Sequence, residues 1–171
     1  MKTFRCALTA CALGLISTTA TADGMFYLGA GPDDDNPDIT GNTVPFVIGA
    51  LALQDETPFV WGLDFAGEGE MLDSTFGGDS LRQALSVNFL IGGNLGKTET
   101  MRVDAAAILG ARESVADCPD SFLGFQCYAD REPDVEYDFN YGGLISLSFR
   151  KVSIGVRATG ESAQAFLGWV F

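Results

Sequence analysis

The chain has 171 residues, of which 23 are acidic and 10 are basic, so its formal net charge is −13 at pH 7. This acidic excess argues against a nucleic-acid partner, because affinity for phosphates rests on lysine and arginine. The chain also contains no histidine. It therefore lacks the usual general base and the nucleophile designs that depend on one.

The first 22 residues have the pattern of a secretory leader. Lys2 and Arg5 form a short positive region, residues 6–16 are apolar, and Ala20-Thr21-Ala22 is an A-x-A cleavage signal. The apolar run is shorter than the roughly 20 residues of a membrane-spanning helix, although an N-terminal anchor helix is the alternative. We predict a signal peptide over 1–22 and one exported domain over 23–171, with a net charge of −15 because the basic count falls from 10 to 8.

Two of the four cysteines, Cys6 and Cys11, lie in the leader. The other two, Cys118 and Cys127, lie in a polar segment of the predicted exported domain, where disulfides persist. We predict that they pair, which would stabilise the domain by roughly 2–3 kcal/mol through closure of a short loop. A metal site with two cysteines and no histidine is the weaker alternative, so no metal is predicted.

The exported domain contains eight runs that are predicted to be strands, and no long helical pattern. Most runs are close to the roughly 9–11 residues that a tilted strand needs to cross a bilayer. The connections alternate between long and short, except for a short one at 160–161, as in an up-and-down membrane barrel with both termini on the periplasmic side. The predicted strands are 25–31, 43–53, 58–69, 82–93, 99–112, 136–150, 152–159 and 162–171.

Most runs have one apolar and one more polar face. In 58–69, for example, Trp61 and Leu63 share one face, while Asp64 and Glu68 share the other. The run 43–53 is apolar on both faces, so its orientation is left open. A soluble barrel would turn the apolar face inward. Lipid on that face is favoured because the polar face has few charges, and because the domain's two lysines, Lys97 and Lys151, both lie in predicted turns.

The last run ends in Leu167-Gly168-Trp169-Val170-Phe171. With the leader and the eight-strand alternation, this ending resembles the small eight-stranded outer-membrane β-barrels of Gram-negative bacteria, the porin-family proteins of the OmpX, OmpW and OmpA-transmembrane kind. The resemblance covers essentially all of 25–171. It implies an all-β, eight-stranded antiparallel up-and-down transmembrane β-barrel in the outer membrane. It also implies that Leu167, Trp169 and Phe171 form the signal read by the outer-membrane assembly machinery.

Five charged residues fall on the inward face of the predicted barrel: Asp64, Glu68, Arg102, Asp104 and Arg157. They could line a gated conduit or a carboxylate site. A plug of paired charges is favoured, because buried charges must be paired and eight strands leave an interior just filled by side chains. The small-barrel lipid A deacylases and palmitoyltransferases of the outer membrane rely on histidine, so no catalytic residue and no cofactor is predicted.

The predicted outer loops are acidic. Asp33, Asp34, Asp35 and Asp38 lie in one loop, and six acidic residues lie in 113–135. Such loops would need divalent cations between them and anionic lipopolysaccharide. The sequence thus predicts a non-enzymatic structural or surface-interaction protein, with outer-membrane lipid, lipopolysaccharide and the assembly machinery as partners. A narrow channel for small or hydrophobic molecules and a soluble periplasmic barrel that binds an apolar ligand are the alternatives.

Overall fold

A computed structural model describes residues 23–32, 44–54, 57–75, 78–117 and 134–171. This part of the chain contains no helix long and apolar enough to span a bilayer. Its regular structure consists of strands. They are β1 (Asp23–Ala30), β2 (Phe46–Leu53), β3 (Phe59–Thr75), β4 (Gly78–Lys97), β5 (Met101–Asp117), β6 (Asp134–Phe149), β7 (Val152–Thr159) and β8 (Ala163–Val170).

The eight strands form one closed antiparallel barrel in which each strand pairs with the next along the chain. β1 and β8 close the ring, with Met25 opposite Val170 and Ala30 opposite Ala165. Beyond this seam, Gly24 and Phe171 exchange two backbone hydrogen bonds of 2.9 Å. The predicted up-and-down barrel is confirmed.

Large apolar side chains point outward around the barrel. Leu63 is 51 % exposed, Ile145 59 % and Leu167 67 %, whereas the alternate positions of the same strands are buried. A soluble barrel has the opposite arrangement, because its apolar side chains leave water for the core. An apolar band around the outside of a closed barrel is the arrangement of transmembrane β-barrels.

The structure orients β2, which the sequence left open. Val47, Leu51 and Leu53 point inward and are at most 2 % exposed, while Ile48 points outward. Gly49 is also buried, since the ring of Tyr27 on β1 occupies the space that a side chain at this position would need. β2 therefore contributes its apolar residues to both the interior and the exterior of the barrel.

Large interior side chains are matched with glycines on other strands. The Tyr27 ring lies over Gly49, and the Phe166 ring lies over Gly155, so that a Cβ at either glycine would clash with an aromatic ring. The two rings lie against each other with centroids 4.8 Å apart. Each glycine is the direct partner of its aromatic residue on the adjacent strand, so a narrow barrel accommodates these rings where the neighbouring position has no side chain.

The strands differ greatly in length. β1, β2, β7 and β8 have 8 residues each, whereas β3, β4, β5 and β6 have 17, 20, 17 and 16. The sequence analysis left 70–81 as a long connection between the predicted strands 58–69 and 82–93. This prediction was wrong, because 70–75 and 78–81 continue β3 and β4. β5 and β6 likewise extend beyond their predicted outer ends. The long strands exceed the span of a bilayer and stand beyond one side of the barrel.

We call these extensions the outer sheet: residues 68–75, 78–85, 113–117 and 134–141. In the barrel β4 separates β3 from β5, but in the outer sheet β3 pairs in parallel with β5 at Leu72–Val115 and Asp73–Ala116. A bulge between Gly67 and Glu70 makes this change of neighbours possible. Gly69 lies within it at φ +67°, a conformation that favours glycine.

Candidate functional site

The barrel interior, close to where the outer sheet begins, holds a buried cluster built around Arg157. Its guanidinium forms ion pairs with Asp64 at 2.8 Å and with Glu68 at 2.7 Å, and all three side chains are fully buried. Arg157 also donates to Gln164 at 2.9 Å. Its five hydrogen bonds match the five N–H groups of a guanidinium.

Neutral donors supply further hydrogen bonds to the Asp64 carboxylate. Tyr27 donates its hydroxyl proton to Asp64 at 3.1 Å, and the Asn88 amide donates at 2.7 Å. Asn140 in turn donates to the Asn88 carbonyl at 2.8 Å. These bonds tie strands β1, β3, β4 and β6 to one carboxylate.

Glu68 accepts from a wider set of donors. Ser86 and Thr159 each donate at 2.6 Å, Asn140 at 2.8 Å and Ser162 at 3.1 Å. The cluster contains two carboxylates and one guanidinium, so hydroxyl and amide dipoles stabilise one excess negative charge. We call the ten residues of this network the buried polar cluster: Tyr27, Asp64, Glu68, Ser86, Asn88, Asn140, Arg157, Thr159, Ser162 and Gln164.

An apolar layer fills the interior between the cluster and the end of the barrel that carries the chain termini. Its members are nearly inaccessible and include Met25, Leu51, Leu90, Ile108, Leu144 and Phe166, all at most 4 % exposed. Side chains therefore occupy the barrel interior both at and below the polar cluster. The buried polar cluster can cross-link the strands that surround it, because each charged side chain in it makes several short hydrogen bonds.

The other two predicted lumen residues form a separate group. Arg102 Nε donates to both carboxylate oxygens of Asp104, at 2.9 and 2.8 Å, and Asn94 donates to Asp104 at 2.9 Å. This pair lies toward the end of the barrel that carries the chain termini, where Arg102 also donates to the backbone carbonyl of Gln54 at 3.4 Å. No hydrogen bond in the described residues joins it to the buried polar cluster.

Sequence reasoning missed several members of the cluster. Tyr27 and Ser86 were not singled out, and Asn88, Asn140 and Gln164 were not connected with the charges. The three amide residues carried a usable signal, because each lies in a strand at an inward-facing position. Polar side chains at such positions must find partners inside the barrel.

A second set of polar contacts ties the outer sheet to the barrel rim. Arg112 donates to the backbone carbonyls of Glu70 at 3.0 Å and Glu113 at 3.1 Å, and pairs with Glu161 at 3.3 Å. The Glu113 carboxylate accepts from the Leu85 backbone N–H at 3.2 Å. Arg112 thus connects β3, β5 and the β7–β8 turn.

The three predicted assembly-signal residues lie on one face of the terminal strand. Leu167, Trp169 and Phe171 point outward and are 67, 57 and 66 % exposed. The Phe171 ring covers Gly24, where an added Cβ would lie 2.7 Å from it. The three side chains therefore form an outward-facing row on the strand that closes the barrel.

Deleting Phe171 is expected to reduce the amount of protein in the outer membrane while affecting refolding of purified protein less. The deletion removes two backbone hydrogen bonds with Gly24, worth about 0.5–1.5 kcal/mol each. Membrane levels by immunoblot and refolding in lipid vesicles would be compared with those of the Val152→Ala variant. Normal membrane levels of the truncated chain would contradict the assembly role.

Several sequence predictions lie outside the described residues. These are the leader, the pairing of Cys118 with Cys127, and the acidic run around Asp33–Asp38. Within the described residues there is no group of three or more His, Cys, Asp or Glu side chains that could hold a metal ion.

No protein-family model matches the chain, and no curated protein matches it in sequence. The chain is similar in fold to the Yersinia pestis outer membrane protein Ail, whose backbone structure was determined in a phospholipid bilayer nanodisc. The match has a TM-score of 0.51 at 13 % sequence identity, and covers 88 % of this chain and 99 % of Ail. The resemblance to small eight-stranded outer-membrane barrels is confirmed at the level of the fold.

Proposed function

We propose that this protein is a non-enzymatic barrel of the bacterial outer membrane that contacts partners at the cell surface through its outer sheet. The proposed location is supported by the apolar exterior, with Leu63, Ile145 and Leu167 more than half exposed. The fold shared with Ail and the predicted leader support the same location. A chain without histidine lacks the usual general base, which supports a non-enzymatic role.

The length of β3–β6 is the observation that carries the surface role. A bilayer is crossed by about 9–11 tilted residues, yet β4 has 20 and β3 and β5 have 17 each. The extra residues continue as paired strands and are held to the rim by Arg112. A regular sheet that stands beyond the membrane is a rigid contact surface.

We propose that lipopolysaccharide is in contact with the outer side of the barrel. The described side chains of the outer sheet and rim include five acidic residues, Glu70, Glu113, Glu136, Asp138 and Glu161, against two arginines, Arg82 and Arg112, which pair with Glu113 and Glu161. The acidic surface favours bridging by divalent cations, since both the protein and the lipid phosphates are anionic. No resident cofactor is part of the proposal.

Purified protein in planar bilayers is expected to show no conductance steps above leak. The buried polar cluster and the apolar layer below it fill the interior, and Arg157 is fixed by five hydrogen bonds. A large open porin reconstituted in the same bilayers provides the positive control. Reproducible steps from the monomeric barrel would support the channel alternative instead.

Location and orientation can be tested with two single cysteines placed in a Cys118→Ser/Cys127→Ser background. Tyr137→Cys lies in the outer sheet, and Lys151→Cys lies in the turn between β6 and β7. A membrane-impermeant maleimide is expected to label Tyr137→Cys on intact cells, and Lys151→Cys only after the outer membrane is permeabilised. Both proteins should fractionate with the outer membrane and shift in electrophoretic mobility on heating.

The opposite labelling pattern would contradict the orientation. Release of the protein with the periplasmic contents by osmotic shock would contradict the location and support the soluble-barrel alternative.

A further inference from the structure

We propose that the end of the barrel that carries the chain termini holds a binding site for a small phosphate ester with an attached ammonium group, the chemistry of phosphoethanolamine. The site lies at the barrel mouth away from the outer sheet, and it goes beyond the proposed surface role. Three observations carry it: a cavity lined by charges of both signs, a buried hydroxyl with no hydrogen-bond partner among the described residues, and an arginine in a strained turn.

The cavity lies where the ends of several strands meet. Its volume is about 110 Å³, and Leu53 and Val170 supply apolar wall. A water molecule takes up about 30 Å³ of the liquid, so the cavity has room for one phosphate-sized group and not for a large ligand. The charged residues that line it are Asp23, Lys97, Glu99, Arg102 and Arg150.

Arg102 and Ser148 form the most buried part of the cavity wall. They are direct partners in the β5–β6 ladder and are 8 and 4 % exposed. The guanidinium is held in place by the Asp104 carboxylate and the Gln54 carbonyl. The hydroxyls of Ser148 and of Ser146, two residues further into the barrel, have no hydrogen-bond partner among the described residues. Buried polar groups are nearly always paired, so a hydroxyl beside a guanidinium in a cavity wall points to a ligand with acceptor oxygens.

The turn between β6 and β7 adds a second arginine. Phe149 and Val152 are ladder partners, so the turn consists of Arg150 and Lys151 alone. Arg150 has φ 53°, a left-handed conformation for which turns of this length normally use glycine, asparagine or aspartate. Strained backbone of this kind is concentrated at functional sites. Because the Arg150 side chain lines the cavity, ligand binding accounts for an arginine at this position.

The lining charges specify the chemistry of the ligand. Donors reach the cavity from β5, from β6 and from the turn after β6, which suits the three acceptor oxygens of a phosphate better than the two of a carboxylate. Lys97 adds a point charge of the kind that binds phosphate. Asp23 and Glu99 would repel a purely anionic ligand, whereas an ammonium attached to the phosphate would pair with them. A zwitterionic phosphate ester therefore meets the opposite charge at both of its ends.

The test uses the chain 23–171 folded in phosphatidylcholine nanodiscs, with phosphoethanolamine as the probe. Titration calorimetry measures the affinity, and backbone amide chemical shifts locate the site. We expect saturable binding, with shifts confined to 97–102, 148–151 and the two termini. Inorganic phosphate is expected to bind about 2- to 5-fold more weakly, because it lacks the ammonium that pairs with the carboxylates. Ethanolamine alone should not bind measurably.

Substitutions in one turn separate binding from stability. Arg150→Gly is expected to weaken binding about 10- to 100-fold through loss of charge-assisted hydrogen bonds. Its resistance to denaturant should stay the same or rise, because glycine tolerates the positive φ. Lys151→Ala is the matched control, since it removes the adjacent cation, which does not line the cavity in the described structure. It should change the affinity less than about twofold at physiological salt.

Ser148→Ala provides a second variant. It is expected to weaken binding about 2- to 10-fold with no loss of stability, because its hydroxyl has no partner to lose among the described residues.

Four results would overturn the proposal: no saturable binding, equal losses for Arg150→Gly and Lys151→Ala, shifts outside this end of the barrel, or tighter binding of inorganic phosphate than of phosphoethanolamine. Nanodiscs that contain phosphatidylethanolamine identify the source of the ligand. The same shifts without added probe would assign the site to a lipid headgroup, and shifts only after addition of the probe would assign it to a soluble ester. None of these results depends on the cysteine labelling and fractionation that test the proposed function.

Discussion

Replacing Arg157 with alanine is expected to lower the free energy of unfolding of the barrel by about 3–5 kcal/mol. The substitution leaves Asp64 and Glu68 as two buried carboxylates without the cation that pairs with both of them in the described structure. Unfolding by guanidinium chloride in lipid vesicles, followed by tryptophan fluorescence and heat-shift electrophoresis, measures the loss.

Arg150→Ala serves as the matched control, because Arg150 is an exposed residue of the β6–β7 turn. It is expected to change stability by no more than about 0.5 kcal/mol, as usual for exposed surface positions. Arg157→Lys should be intermediate, since an ammonium keeps the charge but cannot reproduce the five-donor geometry. A loss below about 1 kcal/mol for Arg157→Ala would show that the cluster does not cross-link the strands.

Replacing Ile145 with arginine is expected to destabilise the protein by about 2–4 kcal/mol in a bilayer. Ile145 is 59 % exposed and lies near the middle of the part of β6 that pairs with both neighbours, Gly142 to Phe149, with Ala105 and Val156 beside it. In a soluble barrel this exposed position would accept arginine at little cost, so the result separates a lipid-facing surface from a water-facing one.

The control is Leu95→Arg, at a position that is 70 % exposed near the C-terminal end of β4. A charge near the membrane interface costs only about 0–1 kcal/mol. Unfolding free energies of both variants in the same vesicles would be compared with that of the unsubstituted chain. Equal effects at Ile145 and Leu95 would argue against the proposed membrane position.

Much of the fold could be predicted from the sequence, because period-two alternation is a local property. It placed Trp61 and Leu63 on one face and Asp64 on the other, and the structure has them so. The alternation did not reveal how far β3–β6 continue. Beyond the barrel the segment 70–81 contains charged residues and a Gly-Gly pair, so residues such as Glu70 and Asp79 look like loop residues in the sequence.

The interior was harder to predict, because it depends on which residues meet across the barrel. Asp64, Glu68 and Arg157 come together, whereas Arg102 and Asp104 lie in a separate group. Strand register and tilt decide this grouping, and neither is encoded in the alternation of one strand. The orientation of β2 was left open because both of its faces are apolar, and the structure places Gly49 on the inner face beside the Tyr27 ring.

The pairing of interior rings with glycines has a consequence for how such a barrel can change over generations. Because Tyr27 occupies the space at Gly49 and Phe166 the space at Gly155, a larger residue at either glycine is tolerable only after the opposite ring has shrunk. Acceptable substitutions at these sites are therefore ordered in time, with the ring changing first. The interior wall would evolve by linked exchanges, while the outward-facing apolar positions, which contact fluid lipid, could drift one residue at a time.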